Sequence, residues 1–105
     1  MKNIFLLCAA IFCQTSVFAQ MDIATARQQA ENSEVTISGV VTNGDELGSP
    51  IRYIEDGTAG IAIYDPENTE GVSRGDSITV TGILVDYNGL LEIQPVSNLI
   101  NHGNG

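Results

Sequence analysis

Carboxylates are the most abundant side chains in this sequence that could take part in chemistry. The chain has 13 acidic residues against 4 basic residues, 1 His and 2 Cys. General acid–base catalysis needs two carboxyl groups held in one pocket with shifted pKa values. Most of these carboxylates fall in stretches rich in Gly, Pro and Asn, which predict turns rather than a pocket. We therefore expect a solvated acidic surface and no acid–base catalysis.

Nucleophilic hydrolysis is not expected either, because it needs a base beside the nucleophile. The only histidine is His102, near the C-terminus, where a frayed end could not hold a Ser-His-Asp arrangement. Both cysteines, Cys8 and Cys13, lie in the N-terminal leader described below. We expect this chain to have no catalytic residues, and any enzymatic activity to lie in a domain beyond Gly105.

Calcium binding is the stronger hypothesis for the carboxylates. Asp65, Glu67 and Glu70 share one loop with Asn68 and Gly71, and Ca²⁺ takes several oxygen ligands. The spacing matches no EF-hand loop, because the glycine is late and no distal Glu follows. An ordinary solvated turn is the alternative, so no cofactor is required and Ca²⁺ is the one candidate.

Residues 1–19 have the pattern of a secretory signal peptide. A lysine at the second position precedes an apolar run over 4–12, and small or branched residues precede a cut after Ala19. A membrane anchor is the alternative, but the run is short for a stable transmembrane helix. Lipid attachment is not expected, because a large side chain precedes each cysteine. We predict a secreted or periplasmic protein with no membrane contact after cleavage.

Cleavage after Ala19 leaves residues 20–105, which suit one small domain. This part of the chain contains no Cys, so no disulfide can stabilise it even in an oxidising compartment. Its basic residues are Arg27, Arg52 and Arg74. Such an acidic surface repels phosphate backbones and anionic lipids. It suits a soluble monomer, or a protein that meets divalent cations.

Hydrophobic periodicity predicts one short helix followed by strands. Asp22 can cap a helix over 22–31, in which apolar residues recur at helical spacing. Alternation of apolar and polar residues predicts the strands. Gly39 within the first strand indicates a bulge or a sharp bend, and Asn88-Gly89 is typical of a type I′ turn. The predicted strands are 34–42, 51–55, 61–64, 76–85 and 90–95.

The second and third strands form a predicted hairpin around Asp56-Gly57-Thr58-Ala59-Gly60. Asp-Gly and a second Gly between β-branched and aromatic runs are a strong hairpin signal. A turn centred between Thr58 and Ala59 sets Tyr53 opposite Tyr64 and Ile54 opposite Ile63. The isoleucines then share one face of the hairpin and the tyrosines share the other.

The C-terminal residues 98–105 show no alternation, and we predict a linker or disordered tail there. The predicted domain therefore spans residues 20–97. We expect a longer secreted protein that continues beyond Gly105, and a short complete protein is the alternative.

The helix, the hairpin and the glycine-bearing strands together carry a resemblance. The order resembles the OB-fold modules of secreted bacterial proteins, including those with extracellular nuclease or phosphatase domains downstream. The resemblance covers essentially the whole chain after the leader, and its motifs are turns and core alternation. The matching stretches are Ile23–Arg27, Val35–Thr42, Tyr53–Ile61, Gly75–Gly82 and Gly89–Ile93.

The resemblance implies an all-β fold, a five-stranded OB-fold-like Greek-key barrel with a short N-terminal helix. A closed barrel of this kind also leaves no exposed sheet edge. The helix that many OB-folds place between strands three and four is not expected, because 65–75 is rich in Pro and Gly. The predicted core is Val35, Ile37, Val41, Ile54, Ile61, Ile63, Ile78, Val80, Leu84 and Ile93.

OB-folds bind ligands with the faces of strands two and three and with the loops 1–2 and 4–5. In this chain that surface implies ligand contacts from Tyr53, Glu55, Tyr64, Tyr87 and Asn88. The tyrosines could stack on bases, although Tyr on a strand is more often packing. The usual family pattern has an aromatic residue at position 52 and Gln at 55. Arg52 is expected to point away from this face, and Glu55 adds negative charge to it.

Three classes of function therefore compete. The first is a non-catalytic accessory or binding module of a larger secreted protein, with a nuclease or phosphatase domain in cis as its partner. The second is a module that binds single-stranded nucleic acid, for which the charge has the wrong sign. The third is an enzyme, which the missing base disfavours.

Overall fold

The computed structural model describes residues 20–104, and the predicted signal peptide, residues 1–19, lies outside the described part. The described chain forms one α-helix and five strands, with short 3₁₀ turns at Asp45–Leu47 and Thr69–Gly71. The elements are α1 (Ile23–Ala26), β1 (Glu34–Val41), β2 (Ile51–Glu55), β3 (Gly60–Tyr64), β4 (Ser77–Tyr87) and β5 (Leu90–Gly103).

The strands close into a barrel in the order β1-β2-β3-β5-β4. β3 and β5 are parallel, and the other neighbouring pairs are antiparallel. The predicted five-stranded Greek-key barrel with a short N-terminal helix is therefore confirmed. Between β3 and β4 the described chain has only the 3₁₀ turn Thr69–Gly71 and no α-helix, as the Pro and Gly content of this loop predicts.

The core confirms the alternation seen in the sequence. Most inward positions of the strands carry β-branched or leucine side chains, which fill the interior of a barrel this small. Ile23 and Ala26 of α1 join the same cluster. All of the predicted core residues are buried, each at most 2% exposed: Val35, Ile37, Val41, Ile54, Ile61, Ile63, Ile78, Val80, Leu84 and Ile93.

Helix α1 is shorter than the predicted helix over 22–31. Asp22 caps it as expected, accepting a 2.8 Å hydrogen bond from the Thr25 amide. The prediction of a longer helix is wrong because residues 27–31 are exposed, and a second turn with no apolar face to bury has little stability of its own. In residues 20–104 no helix is long and apolar enough to cross a membrane.

The hairpin register differs from the predicted one. Ile54 lies opposite Ile61, Tyr53 opposite Ala62, and Ile51 opposite Tyr64. Tyr53 therefore does not face Tyr64, and the strands are shifted by two residues, which keeps each side chain on its predicted face. The turn over Asp56–Ala59 sets this register.

The Asp56 side chain closes that turn. Its carboxylate accepts hydrogen bonds from the amide (2.8 Å) and hydroxyl (2.6 Å) of Thr58 and from the Ala59 amide (3.2 Å). It also accepts from the Ile23 amide at 3.0 Å, which fastens α1 to the hairpin. The Thr58 hydroxyl, with these amides, holds the pKa of Asp56 well below its usual range. The sequence predicted that Asp56 lies in the turn, but it did not predict the hydrogen bond from the Ile23 amide of α1 to the Asp56 carboxylate.

The prediction of a linker or disordered tail at 98–105 is wrong for residues 98–103. Strand β5 continues to Gly103 and pairs with the first half of β4, with Leu99 opposite Val80 and Asn101 opposite Ile78. His102 is part of this strand, and its Nε2 lies 2.8 Å from the Thr79 hydroxyl. Main-chain pairing explains the missed strand, because a ladder needs no hydrophobic alternation. The domain therefore extends beyond residue 97.

Glycine is required at two positions, Gly39 within β1 and Gly89 in the turn between β4 and β5. An added Cβ at Gly39 would lie 2.8 Å from the Glu55 carbonyl oxygen, at the point where β1 turns from β4 to β2. The missing side chain therefore lets β1 approach β2 closely. The β1–β4 pairing stays in register through Gly39, so the bulge expected as one alternative is not there, and the register shifts lie along the β4–β5 pair. The predicted Asn-Gly turn is confirmed by φ values of 54° at Asn88 and 94° at Gly89.

Candidate ligand-binding groove

A concave surface of about 300 Å³ lies on the outside of the barrel, across β2, β3, β5 and β4. This volume is at the lower end of the range for small-molecule sites. We call this surface the outer groove. Its lining residues are Ile51, Tyr64, Tyr87, Leu90, Glu92 and Gln94.

The strand registers bring these side chains together. Ile51 of β2 lies opposite Tyr64 of β3, and Tyr87 of β4 lies opposite Leu90 of β5. Leu90, Glu92 and Gln94 alternate along β5, so all of them point to the outer face. The parallel β3–β5 pair is therefore what places a strand-five carboxylate beside the tyrosines of β3 and β4.

Glu92 occupies the middle of the groove. It lies opposite Ala62 of β3 and Val85 of β4, so small and apolar neighbours flank it. Only 3% of the residue is exposed. Burial raises the pKa of its carboxyl group, because removal of water disfavours the charged form.

The Glu92 carboxylate has no hydrogen-bond or ion-pair partner among residues 20–104. In the same part of the chain, no fully enclosed side-chain nitrogen or oxygen lacks a partner. The Glu92 oxygens must therefore be open to the groove rather than sealed beneath it. A group that donates hydrogen bonds could reach them from solvent.

The predicted ligand-binding residues are only partly brought together. Tyr64 and Tyr87 line the outer groove. Tyr53 and Glu55 lie on the same outward face of β2 but are not part of the lining, and Asn88 is exposed in the β4–β5 turn. Sequence reasoning missed Ile51, Leu90, Glu92 and Gln94. The alternation of Leu90, Glu92 and Gln94 along the last strand was the available signal.

The arginines of the described chain are engaged with other parts of the protein. Arg74 pairs with Glu46 at 2.6 Å and donates to the Thr42 carbonyl at 2.7 Å. Arg27 donates to the Gly60 carbonyl at 3.0 Å. No basic residue lines the outer groove, so its only charged side chain is an acid.

Arg52 is buried on the inner face of β2, at 3% exposure, which confirms that it points away from the tyrosine face. Its guanidinium donates to the carbonyls of Val72 (3.1 Å), Ser49 (3.0 Å) and Ile51 (2.9 Å) and pairs with Asp45 at 2.8 Å. This side chain joins the loop before β2 to the loop before β4. Its function is structural.

The proposed calcium ligands do not converge. The Asp65 carboxylate accepts bonds from the amides of Glu67 (2.9 Å) and Asn68 (3.2 Å) and from the Asn68 side chain (2.6 Å). Glu67 and Glu70 are exposed. Residues 20–104 contain no group of three His, Cys, Asp or Glu side chains that could hold a metal ion. The Asp65 carboxylate thus stabilises the loop that follows it.

We expect the same melting temperature in millimolar CaCl₂ and in EDTA, because Asp65 is already satisfied by its loop and a calcium ion needs several further oxygens. Circular dichroism melts of the purified protein provide the measurement. A melting temperature raised by calcium and restored by EDTA, with the rise lost in Glu67→Gln, would instead establish a site at Asp65, Glu67 and Glu70.

The strand order and the position of the groove define the class of protein: the chain is an OB-fold barrel. No protein-family model matches it. The chain is 39% identical over 84 residues to the endonuclease YhcR of Bacillus subtilis, an alignment that covers 75% of this chain. The chain spans only 7% of the length of that relative, so the likeness concerns a small part of the endonuclease.

Solved structures show the same fold at low sequence identity. The hypothetical protein ygiW from E. coli is similar with a TM-score of 0.66 and 16% identity, over 84% of this chain and 99% of that one. Asparaginyl-tRNA synthetase from Pyrococcus horikoshii gives a TM-score of 0.68 and 17% identity, over 85% and 24%. The telomere capping protein Ten1 from Saccharomyces pombe gives 0.59 and 11%, over 81% of each chain.

Proposed function

We propose that this chain is a non-catalytic OB-fold binding module of a larger secreted or periplasmic protein that also carries a nuclease domain. The observation that carries the proposal is the 39% identity to a segment that makes up 7% of an endonuclease. A segment of that size leaves the bulk of the relative for other domains. A phosphatase domain is the alternative partner in cis.

The role that we propose for the described barrel is binding, and it rests on the outer groove. In residues 20–104 no metal-binding cluster is present, and the single histidine of the sequence contacts Thr79 on the far part of β5. The outer groove supplies a binding surface instead. We propose that the module acts as a monomer and that its groove contacts a ligand for the larger protein.

Two measurements test this proposal. Mass spectrometry of the native protein from the culture medium or periplasm should show an N-terminus at Gln20 and a mass above that of residues 20–105. This chain alone should not hydrolyse DNA or RNA in the presence of Mg²⁺ or Ca²⁺. A secreted species that ends at Gly105, or hydrolysis by this chain alone, would contradict the proposal.

Single-stranded nucleic acid is the second candidate ligand, and the juxtaposition of Tyr64 and Tyr87 in one groove favours it. Base stacking on aromatic side chains contributes about 1–3 kcal/mol per base. The phosphate backbone opposes binding, because the only charged side chain in the groove lining is a carboxylate and the chain carries 13 acidic residues. Any such binding would depend on the bases alone.

We expect no measurable affinity for a labelled single-stranded oligonucleotide at physiological salt, measured by fluorescence anisotropy. Binding through phosphates would weaken as salt rises, whereas binding through bases against a repulsive surface would strengthen, because salt screens the repulsion.

Micromolar affinity that Tyr64→Leu abolishes and Tyr53→Leu preserves would establish oligonucleotide binding as the function of the groove. Tyr53 is the matched control for this experiment, because it is a half-buried tyrosine on the same outward face and lies outside the lining.

A further inference from the structure

We propose that the outer groove binds small organic cations, with an alkylammonium or guanidinium group seated on Glu92 between Tyr64 and Tyr87. The inference rests on the proposed function in one respect, since it assigns a ligand class to the binding module. It departs from the oligonucleotide hypothesis, because the charge of the ligand is opposite.

The Glu92 carboxylate is the first argument. A carboxylate removed from water without a partner is unfavourable, and buried charges are normally paired. Glu92 is 3% exposed and has no partner among residues 20–104, yet its oxygens reach the groove. An N–H donor that carries positive charge would supply the missing hydrogen bonds and the missing counter-charge together.

The rest of the lining fits the same ligand. Tyr64 and Tyr87 are aromatic rings on either side of the groove, and the face of an aromatic ring attracts ammonium and guanidinium groups. Ile51 and Leu90 offer apolar contact for the alkyl part of such a ligand. The side-chain amide of Gln94 has an oxygen that can accept a further N–H.

The charged groups around the groove disfavour an anionic ligand. The groove has no basic side chain, and Arg27, Arg52 and Arg74 are all engaged elsewhere. Glu55 adds another negative charge on the same face of β2, outside the lining. An anionic ligand would meet repulsion from every charged group nearby, whereas a cation would meet attraction.

Titration calorimetry and ¹H–¹⁵N NMR on the purified protein test the inference. The probes are n-butylammonium and n-butylguanidinium chloride, with n-butanol as the neutral control of the same chain length. Free amines and basic peptides share this chemistry, so spermidine and a short peptide with one Arg form two further arms. Tight binding of the peptide with no binding of the small cations would overturn the assignment to small organic cations and indicate a protein segment as the ligand.

Glu92→Gln is the decisive variant, and Glu55→Gln is its matched control. We expect Glu92→Gln to weaken cation binding about tenfold or more, because a charge-assisted hydrogen bond is lost, and to leave the butanol signal unchanged. Glu55→Gln should keep wild-type affinity within about twofold, because an exposed charge contributes little. Glu92→Gln should fold, since it removes the cost of a buried charge, and its melting temperature verifies this.

The outcomes separate this inference from the proposed function. NMR shifts confined to the amides of Leu90–Gln94 and their neighbours, lost in Glu92→Gln, would support it. Cation binding that Glu92→Gln leaves intact, or equal binding of butanol and butylammonium, would overturn it. Oligonucleotide binding without cation binding would also overturn the cation inference, but it would remain consistent with a binding module. The proposed function is tested separately by the mass and hydrolysis measurements.

Discussion

Replacing Arg52 with methionine is expected to lower the free energy of unfolding by about 3–5 kcal/mol. Methionine keeps much of the apolar stem but leaves the carbonyls of Ser49 and Val72 without their donor. Buried polar groups that lose their partners cost about 1–3 kcal/mol each, and these costs are not fully additive. Urea denaturation followed by circular dichroism provides the measurement.

Arg74→Met is the matched control for this experiment. Arg74 also makes an ion pair, with Glu46 at 2.6 Å, and also donates to a carbonyl, but its side chain is 58% exposed. Exposed ion pairs contribute about 0–1 kcal/mol, so this variant should stay close to wild type. Equal losses of stability in the two variants would contradict the structural role of Arg52 and indicate a general effect of charge.

Arg52 shows which features of a buried side chain can be predicted from the sequence. Strand alternation places it on the same face as Ile54, and that face proves to be the interior. Alternation alone cannot say what a buried guanidinium binds, because its acceptors come from residues 49 and 72, far apart in the chain. The orientation was predictable, and the network was not.

The core was predictable because its signal is local. Each strand carries its own alternation, and the Asn88-Gly89 turn carries its own backbone preference. The hairpin register was not predictable, because the turn is stabilised by hydrogen bonds from Thr58 and from Ile23 of α1 to the Asp56 carboxylate. The last half of β5 was missed for a similar reason, since it is held by main-chain pairing to β4 rather than by a pattern of its own.

Some residues of the outer groove could be predicted from the sequence and others could not. Tyr64 and Tyr87 could be named from the resemblance to OB-folds, because that resemblance points to strands two and three and to the loop 4–5. Glu92 could not be distinguished from the other carboxylates by sequence. Its environment depends on the parallel pairing of β3 with β5, which brings Ala62 beside it, and on burial that no local pattern reveals.

Replacing Ile63 with alanine is expected to cost about 2–5 kcal/mol of unfolding free energy. Ile63 is fully buried, and it lies between Arg52 of β2 and Ile93 of β5 in the barrel. A closed barrel is rigid around this position, so the cavity would close only in part. Because small domains have a total stability of about 5–15 kcal/mol, such a loss would lower the midpoint of urea unfolding markedly.

Ile100→Ala is the control that makes this prediction specific to burial. It deletes the same atoms from an isoleucine that is 47% exposed, on the part of β5 that pairs only with β4. Its cost should be within about 1 kcal/mol, because little apolar surface is buried there. Similar urea midpoints for the two variants would show that Ile63 is not in the core and would contradict the packing at the centre of the barrel.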